Sequence, residues 1–256
     1  MNLIRNIRIV ILIGFIFFFN SCTETNTSNS TIKKQQNNRS IYKDLLKIEY
    51  SKSFEIIYLD SAKVINVFAP DISRKEIFQY LLLPKNVSIP KGYDHAQIIR
   101  TPINTAIVLT SIYVGFLDKL NLIDKIIAVD NSKYIYSAKA RELIENRKIT
   151  EVGDSYSLNV EKVFSLNPDL LFTYGNSNPY IDGDPKLIQN GIHIASGTFH
   201  LENSPLARAE WIKFLAAFFD KEKEANDVFN GIAERYNNLT KLTQKITYRP
   251  TVFTEA

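Results

Sequence analysis

One cysteine, Cys22, is the only thiol in this chain of 256 residues. A disulfide within the chain is therefore excluded, as is any zinc site built on several thiolates. Histidine is almost as scarce, with only His95, His193 and His200. A zinc or manganese site of the three-histidine type needs all three to converge with an acid. His193 falls in a run expected to be a buried strand, and His95 lies ahead of the first expected strand-to-helix loop, so convergence is not expected. Excess charge is small: 31 basic against 27 acidic residues give +4, with lysines interspersed among acids. No basic stripe exists to argue for nucleic acid as a partner. Long apolar runs are missing too, since Ile9 to Phe19 falls well short of the roughly 20 residues a helix needs to cross a bilayer.

That short run has a context. Arg5 and Arg8 precede it, and Asn20-Ser21-Cys22 follows it. A positive start, a short apolar centre and small or polar residues at a cut point make a secretory signal. A cysteine placed directly after the apolar centre resembles the lipobox of bacterial lipoproteins, with Phe19 and Ser21 where leucine and alanine are usual. The resemblance implies removal of residues 1–21, acylation of Cys22 and attachment to a membrane of the cell envelope, inner or outer, on the periplasmic side. The other reading is an ordinary signal followed by a stray cysteine. Acyl chains contribute roughly 0.8 kcal/mol per buried CH₂, so several together hold firmly.

Residues 22–45 are rich in Thr, Ser, Asn, Gln and Lys, and read as a lipidated flexible tether. Residues 46–97 read as a β-rich extension. Phe54–Leu59 and Lys63–Phe68 flank Asp60-Ser61-Ala62 as a hairpin, and Ile77–Leu83 is a third strand stopped by Pro84. Residues 98–220 alternate strands and helices. Expected strands are Ile98–Arg100, Ile126–Val129, Ile149–Val152, Leu170–Tyr174 and Ile192–Ala195; expected helices are Thr105–Leu120, Ala138–Asn146, Asn159–Leu166, Lys186–Asn190 and Pro205–Asp220. Repeated βα units predict a mostly parallel sheet flanked by helices. Residues 221–248 carry apolar positions at 3–4 spacing (Val228, Phe229, Ile232, Tyr236, Leu239, Leu242, Ile246), which predicts a long one-sided helix. Thr251–Phe253, within residues 249–256, is strand-like.

Four segments carry a family resemblance. They are Arg100-Thr101-Pro102-Ile103-Asn104-Thr105; Leu117-Asp118-Lys119-Leu120 through Asp124–Asp130; Val152-Gly153 with Asn159-Val160-Glu161-Lys162-Val163 and Asn167-Pro168-Asp169-Leu170-Leu171; and Ser204–Trp211. Together the layout resembles the substrate-binding lipoproteins of ABC importers for iron–siderophore complexes, cobalamin and haem. The resemblance covers roughly Ile98 to Ala256, with Asp118 and Ala207 where the family has glycine. It implies an α/β lobe, a long backbone helix and a second lobe, with ligand held between the lobes. Most of that second lobe has no counterpart here, so the chain is expected to be a truncated member. A ferric siderophore or related chelate, an ABC permease and its ATPase are the implied partners. Neither catalysis nor a cofactor is expected.

Ligands of open α/β sheets sit beyond the carboxyl ends of the strands. Asn131, Lys133, Tyr134, Tyr136, Ser155, Tyr156, Asn176 and Phe199 follow expected strands, Tyr174 ends one, and Thr101 lies in the segment that resembles the family's first loop. These ten are the candidate ligand-binding residues. Aromatic faces and small polar groups suit a broad ligand, and Lys133 suits an anionic one. Glu161 matches the family glutamate that docks to permease arginines; a plain helix-start acid is the alternative. Two rivals remain. Gly153-Asp154-Ser155 resembles the nucleophile block of GDS-type esterases, though their terminal Asp-x-x-His is absent and Ser155 would need a base within reach. An envelope lipoprotein that binds no ligand is the other.

Overall fold

The computed structural model describes residues 42–69, 73–153, 157–175, 185–244, 246–248 and 250–251. Cys22 with its signal, residues 23–41 of the tether, Ser155, Tyr156, Asn176 and most of the strand-like Thr251–Phe253 lie outside the described residues.

Two sheets are formed. The first contains β1 (Phe54–Tyr58), β2 (Lys63–Phe68), β3 (Glu76–Pro84) and β4 (Gln97–Thr101), paired in chain order. The expected hairpin is present: Phe54 faces Val67, Tyr58 faces Lys63, and Leu59 N–H donates to Ala62 O at 2.8 Å to close the turn. β3 is antiparallel to β2, whereas β4 runs parallel to β3. Ile98–Arg100 therefore belongs to this first sheet and not to the alternating α/β sheet.

The second sheet contains β5 (Ala106–Val108), β6 (Ile126–Val129), β7 (Thr150–Glu151), β8 (Leu170–Tyr174) and β9 (Ile194–Gly197). Its order is β7-β6-β5-β8-β9, with every pairing parallel. The expected helix over Thr105–Leu120 is thus corrected. Ala106–Val108 is the central strand, and α1 spans only Ser111–Lys119, capped by the Thr110 hydroxyl. Ala106, Ile107 and Val108 are all buried, as a central parallel strand demands. The amino end of β5 is pinned by Asp169, whose Oδ2 accepts from Asn104 N at 2.7 Å and Thr105 N at 3.1 Å.

Four helices complete the connections: α2 (Ala138–Glu145), α3 (Val160–Leu166), α4 (Pro185–Gln189) and α5 (Pro205–Phe218). Helix α5 is apolar nearly all round, which predicts burial on every side. It lies between the sheets. Phe54 of β1 packs on Trp211 with centroids at 4.6 Å, and Phe172 of β8 meets Phe218 edge-on at 5.3 Å. The outer edge of β9 is satisfied by side chains of the first sheet. Tyr80 Oη accepts from Ser196 N at 2.8 Å, and Gln97 Oε1 accepts from Ile194 N at 2.8 Å. An edge strand otherwise offers a row of unpaired backbone groups to other chains.

The last helix, α6 (Glu222–Thr243), packs its first half on α5 through Ala225 and Phe229. Farther on, Tyr236, Leu239 and Leu242 of the same apolar stripe are exposed. Two buried ionic contacts fix the extension to the α5–α6 elbow. Lys63 Nζ donates to Ala217 O, Asp220 Oδ1 and Glu222 Oε1, each at 2.6 Å. Glu210 Oε1 accepts from Glu49 N at 2.9 Å, and its Oε2 accepts from Tyr50 N at 2.7 Å and Ser51 N at 2.8 Å. Lys213 Nζ pairs with Glu210 at 2.9 Å and donates to Lys47 O at 2.5 Å. Among the described residues no helix is long and apolar enough to cross a membrane.

Candidate functional site

The chain reverses its direction of growth at β5. It passes from β5 through β6 to β7, then places β8 on the other side of β5. Loops leaving β5 and β8 must diverge, and this opens a crevice at the carboxyl ends of the strands. With strands about 4.8 Å apart, the carboxyl ends of β6 and β8 stand roughly 10 Å from each other across β5.

The loop after β6 forms one wall. Asn131 Oδ1 accepts from Lys133 N at 2.9 Å and shapes a 3-10 turn over Ser132–Tyr134. Glu151 of β7 accepts from Ser132 N at 2.7 Å and ties that turn to the neighbouring strand. The hydrogen bonding from Ser132 holds the Glu151 carboxyl below the usual carboxylate range. Ile135 is buried while Tyr134 and Tyr136 are 51% and 87% exposed. The buried residue acts as a peg that turns both its neighbours outward. Lys133 Nζ stands 5.9 Å from the centre of the Tyr134 ring.

The opposite wall begins at Tyr174, the last residue of β8 and 40% exposed. His200 meets its ring edge-on at 5.5 Å. His200 belongs to a 3-10 turn over Phe199–Leu201, directly beyond β9. At the floor, Thr110 and the first turn of α1 follow β5, with Ile112 exposed.

Asn131, Lys133, Tyr134, Tyr136 and Tyr174 thus share the carboxyl edge of one sheet. Two sequence assignments do not survive. Phe199 is a core residue, only 4% exposed, packed on Tyr113 at 5.0 Å between ring centroids. The short 3-10 turn directs Phe199 inward and leaves His200 beside Tyr174. Thr101 is buried at the carboxyl end of β4, in the first sheet, away from the edge that carries the tyrosines. The segment Arg100–Thr105 precedes the central strand rather than leaving it: Ile103 N donates to Phe218 O at 3.0 Å, and Asn104 and Thr105 bond to Asp169 ahead of β8. His193 is exposed just before β9, not inside a buried strand. It lies at the amino edge and His200 at the carboxyl edge. Among the described residues no group of three or more His, Cys, Asp or Glu is placed to hold a metal ion.

Glu161 is exposed in the first turn of α3, beyond the carboxyl end of β7. Asn159 caps this helix by accepting from Lys162 N at 2.9 Å. His200 and Ile112 were not among the ten candidate ligand-binding residues. The pattern of apolar and polar residues carries no signal for a 3-10 turn that swaps the roles of adjacent rings.

A family described as periplasmic binding protein matches residues 107–255, more than half of the chain. Two lipoproteins of Methanocaldococcus jannaschii are similar. One, named uncharacterized lipoprotein MJ0878, is 29% identical over 231 residues, covering 80% of this chain and 55% of its own length. The other, uncharacterized lipoprotein MJ0872, is 23% identical over 256 residues, covering 95% and 63%. The chain therefore spans little more than half the length of these relatives. Among solved structures, a periplasmic binding protein from Veillonella parvula superposes with a TM-score of 0.50 at 15% identity, covering 78% of this chain and 59% of that one. That likeness concerns the fold.

Proposed function

The chain belongs to the periplasmic binding protein family, whose members bind solutes rather than catalyse reactions, and from that premise we propose that it captures a metal–chelate ligand at the carboxyl edge of the second sheet for an ABC importer. The observation that carries this reading is the exposure of Tyr134, Tyr136 and Tyr174 around the point where strand order reverses. Exposed aromatic rings that face a crevice bury large area on a flat or broad ligand at low entropic cost. Lys133 beside Tyr134 supplies a positive charge for the carboxylates or catecholates of an iron chelate. A ferric siderophore fits this chemistry; cobalamin and haem are the related alternatives.

In this reading the described body forms one wall of a cleft. Helix α6, which runs on past its packing partner α5, is the strut toward the other wall. Glu161 is the contact to a permease arginine, since it is exposed on the same edge as the ligand. Acylated Cys22 holds the protein at the envelope membrane.

Titration of tyrosine emission with ferric catecholate, ferric hydroxamate, cyanocobalamin and haemin tests the reading. Trp211 is fully buried between Phe54 and Phe214 and serves as the internal reference. One ligand class is expected to saturate, and Tyr134→Ala with Tyr174→Ala to weaken it by roughly tenfold or more. Absence of saturation by any of the four, or wild-type affinity in the double variant, overturns it.

A further inference from the structure

A second hollow lies outside the strand edge, between the β-rich extension and the start of α5. It has a volume of about 580 Å³ and is lined by Tyr50, Lys52, Arg74, Glu202, Asn203 and Ser204, among others. That volume falls within the 300–1,000 Å³ typical of small-molecule sites. Glu202 is the deep element, 6% exposed. Its Oε1 is already used, accepting from the Ser51 hydroxyl and from Trp211 Nε1 at 3.2 Å. Among the described residues the hydrogen bonds to its carboxylate fall on Oε1, and Oε2 takes none from the protein.

Two cations stand at the mouth. Neither Lys52 nor Arg74 forms an ion pair among the described residues. Arg74 is held in place: its guanidinium lies over the Phe68 ring at 4.6 Å, and its backbone adopts φ of +47°. A bulky residue in the left-handed region is uncommon and costs free energy unless its surroundings fix it.

This arrangement discriminates by charge. A simple anion drawn by Lys52 and Arg74 meets the buried negative charge of Glu202. A simple cation drawn by Glu202 must pass two positive side chains. A molecule carrying both charges satisfies both ends. We propose that this cavity binds a small zwitterion, with its ammonium group on Glu202 Oε2 and its anionic group on Arg74 and Lys52. Free amino acids and short peptides have this chemistry. The site is independent of the tyrosine edge, since Leu201 and Glu202 lie behind the turn that presents His200.

The test uses the full chain with glycine, γ-aminobutyrate and glycylglycine, which differ in charge separation, and with acetate and methylammonium as half-ligands. Calorimetry and thermal melting are the readouts. At least one zwitterion is expected to saturate and raise Tm, while the half-ligands at equal concentration do neither. Arg74→Gln and Glu202→Gln are each expected to weaken binding by roughly tenfold or more, because each removes a charge-assisted hydrogen bond. If Glu202→Gln melts early through loss of its Trp211 contact, the exposed pair Lys52→Gln and Arg74→Gln carries the test instead. No saturation by any of the three zwitterions at millimolar concentration overturns the proposal. So does binding that survives Lys52→Gln with Arg74→Gln, or binding lost in Tyr174→Ala alone.

Discussion

A methyl group at Gly197 would stand 2.0 Å from the Tyr113 hydroxyl and 2.7 Å from the Trp211 ring. β9 and helices α1 and α5 meet there with no room for a side chain, directly below the turn that carries Phe199 and His200. Gly197→Ala is therefore expected to cost about 1–3 kcal/mol by overpacking. Tyr113→Phe should recover part of that loss, since the offending atom is the hydroxyl. By itself Tyr113→Phe should be neutral or stabilising, because the buried Oη has no hydrogen-bond partner among the described residues. A double-mutant cycle in urea checks all three. Additive losses would show that the two residues do not press on each other.

Rim and core make opposite demands on neighbouring aromatic residues. Phe199→Ala removes a core ring and should cost about 3–5 kcal/mol. Tyr136→Ala should leave stability within about 0.5 kcal/mol. If the tyrosine edge holds the chelate, Tyr136→Ala lowers affinity with no change in the urea midpoint. A Phe199→Ala protein as stable as wild type would place that ring outside the core.

These two residues also mark how far the sequence could be read. The hairpin Phe54–Phe68 was legible because both runs and their turn are local signals. The parallel sheet was legible from βα alternation. The central strand β5 was not: Ile107, Val108, Ile112 and Phe116 fit a helical period as well as a strand followed by a helix. Thr101 followed that error, because a misplaced first strand moves every residue near it to the wrong sheet. Lys63, Glu210 and Lys213 were invisible for a different reason. Charged side chains are rarely fully buried unless paired, and partners at a separation of more than 150 residues leave no local trace.

Glu210 supports a prediction about the segment that follows the tether. Its carboxylate gathers the amides of residues 49–51 and the Lys213 ammonium. Glu210→Ala leaves Lys213 buried without its partner and should cost about 3–5 kcal/mol. Glu210→Leu combined with Lys213→Met should cost less, since no charge is stranded. Both variants leave three amides without an acceptor, so trypsin should cut after Lys47 and Lys52 sooner than in wild type. Unchanged cleavage at these lysines would mean that the segment is held by other contacts.

Alkaline pH should loosen the same end of the molecule. Burial, reinforced by Asp220 and Glu222, pushes the Tyr42 phenol up to about 12. Burial also raises Tyr58, although its hydroxyl accepts from Leu46 N at 3.0 Å. Tyr113 is raised by burial too. An unfolded tyrosine ionises near pH 10. Each of these phenols therefore keeps its proton more tightly in the folded chain than in the unfolded one. Their contribution to stability is complete below about pH 10 and is lost as pH climbs through the raised folded values. Unfolding midpoints in urea should fall from about pH 10 toward pH 12, and Tyr42→Phe should flatten that slope. Equal slopes in wild type and Tyr42→Phe would show that Tyr42 ionises as freely folded as unfolded, and would remove the packing of Tyr42 on Tyr58 at 5.2 Å as a brace of this region.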